Sequence, residues 1–214
     1  MKRFSIAIIL AFSMLAMFAQ EEAIRVDYTG NRPTIKDFLQ AYLQSLPDIN
    51  DLDECDVEGM YLLENLRLAV LYQGEGIALE PNEKLEIDLK NGYACYEKRN
   101  ESSLSRIEMC YWNESDGKHK LFACVRQSFD NGWYMAGQYD GTQFYRYNNA
   151  TKTMRGISNE EIGIDAVYEE SSNMSVLGSI SLPRKGKDIQ VTWWDNNGEC
   201  GGTVLKWNGH GFNL

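Results

Sequence analysis

Among the side chains of this chain that could do chemistry are two histidines, five cysteines and thirty-one acids. His119 and His210 lie 91 positions apart, and no Cys-x-x-Cys occurs. Neither pattern has zinc-ligand spacing, so no metal and no cofactor is expected. A Gly-x-Ser-x-Gly elbow, a phosphate-binding glycine loop and a His-Glu-x-x-His helix are all missing, so no catalytic residue can be named. His119 sits between Lys118 and Lys120 and reads as a solvated turn residue, and His210 is bracketed by Gly209 and Gly211. Asp195-Asn196-Asn197-Gly198-Glu199 offers oxygen atoms but not the spacing of a helix-loop-helix calcium loop, and reads as a hairpin turn. Carboxylates need no local signature. A glycosidase requires only two acids facing each other across a sugar, which keeps a carboxylate-based hydrolase of extracellular polysaccharide as the alternative function.

The aromatic residues are the stronger lead. All five tryptophans, Trp112, Trp133, Trp193, Trp194 and Trp207, fall in the strand-rich part of the chain. Neighbours on a strand point to opposite faces, so one of Trp193 and Trp194 looks away from the main core. Where both faces of a sheet are covered, both are core. Otherwise the outward ring, with Trp207 and with His210 from the same terminal turn, is a candidate binding surface for a sugar ring or a protein. The reading favours a non-enzymatic binding or interaction module, with a glycan or protein partner.

The elements that would position these groups change character near Pro81. Before it the period is helical. Thr34 and Asp37 supply an N-terminal cap and a favourable first-turn charge, and Ile35, Phe38, Leu39, Tyr42, Leu43 and Leu46 form one apolar stripe that Pro47 ends. A second helix is expected over 58–72, with Leu63, Leu66, Val70 and Leu71 as its stripe and Gly74 and Gly76 beyond it. After Pro81 the period is two. Leu85, Ile87 and Leu89 alternate with Glu86, Asp88 and Lys90, and further strands are expected at 93–98, 106–112, 121–127, 133–139, 143–147, 174–182, 189–194 and 203–207. Six Asn-Gly or Asp-Gly steps, from Asn91-Gly92 to Asn208-Gly209, punctuate these runs and indicate an antiparallel meander. Residues 139–144 and 207–212 share a faint repeat: aromatic, Asn or Asp, Gly, two residues, Phe. The stretch 158–172 reads equally as a strand with an acidic loop or as a short helix.

Register bears on the cysteines. A two-residue turn at Asp116-Gly117 sets Cys110 opposite Ala123, whereas a three-residue loop sets it opposite Cys124. The second register alone approaches disulfide geometry, so Cys110–Cys124 is a candidate bridge and buried free thiols are the other outcome.

A 43% hydrophobic fraction supports a real core. Lys2 and Arg3 followed by an apolar run over 6–18 read as a signal peptide ending near Ala19, too short to span a membrane. Its removal takes the formal charge from −10 to −12. That balance repels phosphate backbones, so nucleic acid is not an expected partner, and no membrane span is expected after cleavage. The segments 90–96 (Lys-Asn-Gly-Tyr-Ala-Cys-Tyr), 108–113 (Glu-Met-Cys-Tyr-Trp-Asn) and 116–122 (Asp-Gly-Lys-His-Lys-Leu-Phe) resemble a group of secreted proteins of gut-dwelling Bacteroidetes. That group carries no established activity, and the resemblance implies export. The expected product is one secreted or periplasmic α+β domain over 20–214. Two N-terminal amphipathic helices (about 33–76) pack on a long antiparallel meander (about 84–214), as a curved sheet or sandwich-like fold. A boundary near 80–83 is the alternative division.

Overall fold

The structure is a computed structural model that describes residues 23–51, 54–72, 78–135, 141–174 and 176–214. The expected signal segment lies outside these residues. Among the described residues three α-helices run over Ile35–Ser45 (α1), Glu54–Leu71 (α2) and Asp165–Met174 (α3). The strands are β1 (Ile24–Arg25), β2 (Glu83–Asp88), β3 (Tyr93–Asn100), β4 (Ser103–Asn113), β5 (His119–Asp130) and β6 (Trp133–Tyr134). They continue with β7 (Gly141–Asn148), β8 (Thr153–Ile157), β9 (Leu177–Ser181), β10 (Ile189–Asp195), β11 (Gly198–Trp207) and β12 (Phe212–Asn213). The chain is thus mostly antiparallel β with helices, an α+β protein.

The strands form two sheets rather than one meander. The larger has the order β1-β8-β7-β5-β4-β3-β2, with β6 paired to the end of β5, and it curls as a half-barrel. The smaller has the order β12-β11-β10-β9. Alternation along the large sheet explains the layering. Ala94, Tyr96, Ile107, Met109, Phe122, Cys124 and Tyr147 face the core shared with α1 and α2. Their neighbours Tyr93, Cys110, Trp112, Leu121, Ala123, Val125 and Phe144 face a second core with Val167 of α3 and the small sheet. Both faces of the large sheet are therefore covered, one by helices and one by strands.

α1 follows its stripe. The Asp37 carboxylate accepts hydrogen bonds from the Thr34 backbone N–H and hydroxyl, both at 2.7 Å, and fixes the first turn. Phe38 sits among the rings of Tyr111, Phe122 and Tyr147, with centroids 5.1–5.6 Å away. One detail differs from the sequence expectation: α2 starts at Glu54, a turn earlier than expected. The stretch near 158–172, for which a strand and a short helix were both open, takes the helical alternative, a 3-10 turn at Glu160–Ile162 followed by α3. Ile162, Ile164 and Val167, its apolar members, are all buried in the second core.

The β4–β5 register decides the cysteine question. Cys110 pairs with Ala123 and Met109 with Cys124, so the two sulfurs lie on opposite faces of the sheet in different cores. The candidate Cys110–Cys124 bridge is therefore not formed. Cys95, Cys110, Cys124 and Cys200 are free thiols.

Candidate functional site: an aromatic cluster, a charged cleft and a terminal turn

β10 places the tryptophan pair as strand alternation requires. Trp193 points between the sheets and is only 6% exposed, its ring lying against Gly178 of β9. The expectation that Trp193 could serve a binding surface is corrected, because this residue is core. Trp194 points the other way. A register shift between Trp193 and Trp194 leaves Cys200 as the extra residue on β11, pairing Trp193 with Gly201 and Trp194 with Glu199. The Trp194 indole N–H donates to Ser179 Oγ at 2.8 Å. Its ring packs on Phe129 and Tyr134, with centroids 6.2 and 6.4 Å away.

The β5–β6 hairpin completes this cluster. Trp133 lies over Gly198, where an added Cβ would sit 3.5 Å from the ring, and remains 41% exposed. Leu177, paired across the sheet with Trp194, and Met135 are exposed as well. The Arg106 guanidinium stands 5.8 Å from the Phe129 ring centroid. The site thus takes Trp194 from the sequence reading and adds Trp133, Tyr134 and Phe129, which that reading passed over. Their signal was the Asn131-Gly132 turn, which places aromatics on both sides of one hairpin. Trp207 belongs elsewhere. It is half-buried, stacked on Trp112 at 5.7 Å and against Phe212 at 5.1 Å.

A second feature is a cleft of about 240 Å³ lined by Lys84, Glu86, Tyr93, Cys95, Glu97, Arg106, Glu108 and Arg184. Cross-strand pairing puts these β2, β3 and β4 residues on one face: Glu86 opposite Cys95, Cys95 opposite Glu108, and Lys84 and Arg106 both opposite Glu97. Glu108 is 6% exposed. Burial pushes its carboxyl above the usual range, opposed by hydrogen bonds from the Tyr93 hydroxyl (2.7 Å) and the Leu182 backbone N–H (3.0 Å). Glu97 behaves oppositely. Partial burial disfavours its charge, and the Arg106 guanidinium together with Arg99 more than offsets this, holding Glu97 below the usual range. Burial also pushes the Cys95 thiol up to about 11, which makes it a poor nucleophile. Glu108, Arg184 on Glu86 and Asp88, and the Trp112 indole on the Lys187 carbonyl together clamp the 182–188 connection onto the large sheet.

A third feature unites the two histidines at the β4–β5 turn. The oxygen atoms of Glu114 and Asp116 and a nitrogen of His119 lie within 4.8 Å of one another, a spacing that could hold a cation. The hydrogen-bond network argues against it. Asn148 Oδ1 accepts from the Ala150 and Thr151 backbone, so its Nδ2 faces His119 Nε2 at 3.2 Å. His119 Nε2 is then an acceptor, and Nδ1 carries the proton given to Asp116 Oδ2 at 2.5 Å. That hydrogen bond, with those from the Lys118 and His119 backbone, holds the Asp116 carboxyl well below its usual range. The group is a latch that closes the turn. His210 reaches the same turn from the C-terminus, with Nδ1 3.1 Å from Glu114 Oε2 and Nε2 2.7 Å from Ser115 Oγ.

No family model matches this chain, and neither a curated protein nor a solved structure does. Among the described residues no helix is long and apolar enough to cross a membrane.

Proposed function

We propose that the protein is an exported, secreted or periplasmic binding module whose ligand is a glycan, held at the aromatic cluster of Trp133, Tyr134, Phe129 and Trp194. The observation that carries this reading is the turn of half-buried Trp194 away from the Trp193 face, beside an exposed Trp133. Ring faces offer sugar C–H groups a large contact area at low entropy cost, because an indole has only two side-chain torsions to fix. The resemblance to secreted Bacteroidetes proteins and the basic-then-apolar N-terminus are consistent with export.

A second reading has its own observation. The cleft holds one carboxyl pushed up, Glu108, and one pushed down, Glu97, the division that acid–base hydrolysis of a glycosidic bond exploits. Against it, Glu108 is only 6% exposed, and both its oxygens accept hydrogen bonds from the protein that tie it to the 182–188 connection. Binding is therefore preferred to hydrolysis. A glycan array on the mature protein, followed by hydrolysis assays on every glycan retained, separates the two. Binding without product release supports the module. Release that is lost in Glu108→Gln and Glu97→Gln supports the hydrolase, and no retained glycan refutes both.

A further inference from the structure

Ser115, His210 and Glu114 form a hydrogen-bonded chain that the binding reading does not use. Glu114 follows β4 directly, and its side chain is only 3% exposed. Arg146 of β7 holds Glu114 Oε1 at 2.8 Å and Glu161 at 3.4 Å, which fixes the carboxylate in place. Glu114 Oε2 faces His210 Nδ1. A carboxylate only accepts, so Nδ1 bears the proton, and in the neutral ring Nε2 is the lone-pair nitrogen that accepts from the Ser115 hydroxyl. An oriented carboxylate, an imidazole with its tautomer set and a serine within 2.7 Å constitute the arrangement that activates a serine.

The local sequence builds this approach from both sides. Asn208 Oδ1 accepts from the His210 and Gly211 backbone and shapes the terminal turn. Gly209 has a φ of +103°, and its carbonyl accepts the Ser115 N–H at 2.9 Å. A Cβ at Gly209 would lie 3.1 Å from the Ser115 side chain, and one at Gly211 would lie 2.8 Å from the Ile162 carbonyl oxygen. The two glycines let the turn descend far enough to deliver His210. Ser115 and His210 are both exposed, so a substrate can reach them from solvent.

We propose that Ser115 is a nucleophile for small acyl esters, with His210 as its general base and Glu114 as the positioning residue. Ser115 Oγ attacks the ester carbonyl and its proton passes to His210 Nε2. The carbonyl–alkoxide bond breaks, and the departing alcohol takes that proton. Water, deprotonated by the same nitrogen, then cleaves the acyl-serine to release the acid and restore Ser115. The open surface admits short acyl groups on activated or sugar alcohols. This turn lies at the far end of the β4–β5 hairpin from Phe129, roughly 30 Å at about 3.3 Å per residue, so the inference stands or falls independently of glycan binding.

The test is intact-protein and peptide mass spectrometry after incubation with p-nitrophenyl acetate and, separately, with an alkyl fluorophosphonate. The expected result is a single adduct on Ser115, absent in Ser115→Ala, with p-nitrophenol release at least about a hundredfold slower in His210→Ala. Added imidazole should restore acylation of the His210→Ala protein, which a merely structural role would not allow. Circular dichroism of both variants, exposed at the mutated positions, verifies folding. Absence of an adduct in the folded wild type, or an adduct that persists in Ser115→Ala, overturns the proposal.

Discussion

Replacing each tryptophan of the β10 pair and its neighbour by alanine separates core from surface in one series. Trp193 is 6% exposed and faces Gly178 across the strand pair. A buried aromatic removes about 150–250 Å² from water, and at about 25 cal/mol per Å² this amounts to roughly 4–6 kcal/mol. Measured Trp→Ala losses in cores run at about 3–5 kcal/mol, so about 4 kcal/mol is expected for Trp193→Ala. For about 195 residues, the length left by the proposed cleavage, the unfolding entropy is roughly 0.4 kcal/mol per kelvin, which converts that loss into a Tm lowered by about 10 °C. Trp133 is 41% exposed, and its truncation should cost under about 1 kcal/mol, or some 2 °C. Half-buried Trp194 should fall between them. The assay is thermal unfolding by circular dichroism, paired with titration of a glycan retained on the array. Glycan affinity should fall at least about tenfold in Trp133→Ala and stay unchanged in any Trp193→Ala protein that remains folded. Equal Tm losses for Trp133 and Trp193, or a tolerant Trp193, would refute the assigned faces.

Glu108→Gln should flatten part of the pH dependence of stability. A carboxyl raised in the folded state contributes stability that is complete below its ordinary value, about 4.3, and lost as pH rises through the folded value. Urea titrations should therefore show the wild type losing ground to Glu108→Gln as pH rises above the ordinary glutamate value, and a pH-independent difference would contradict this. Glu97→Gln should behave in the opposite sense, destabilising near pH 7 with the difference closing as pH falls below 4, because Glu97 is held down by Arg106. Maleimide labelling without reductant should modify exposed Cys200 in the native protein, and Cys110 and Cys124 only after unfolding; cysteines that stay blocked in denaturant would show a disulfide. N-terminal sequencing of exported protein should begin near Gln20, and an intact Met1 would count against export.

The hairpins were legible because each turn carries its own chemistry. Asn91-Gly92, Asp116-Gly117 and Asn131-Gly132 all close antiparallel pairs of the large sheet, and Asn197-Gly198 closes β10–β11. The α1 stripe was legible for the same local reason. The division into two sheets was not, since alternating residues satisfy one long meander and a covered second face equally well. β8 was missed: Thr153–Ile157 has a short run with Arg155 and Gly156 inside it, and its strand state depends on pairing with β7. β1 depends in turn on β8, through Ile24 opposite Met154. At the candidate sites, alternation set Trp193 and Trp194 on opposite faces but could not say which ring was buried. Long-range closure hid the rest. His119 and His210 look like unrelated turn residues until the Ser115–Gly209 backbone hydrogen bond brings the two turns together.

Glycan binding at the Trp133–Trp194 cluster is read out by a ¹H–¹⁵N spectrum of the five tryptophan indole N–H groups during titration with a glycan retained on the array. The Trp133 and Trp194 resonances should shift with saturable dependence on ligand, while those of Trp112, Trp193 and Trp207 hold still. Movement confined to Trp207 and Trp112, or no indole movement on confirmed binding, would contradict it.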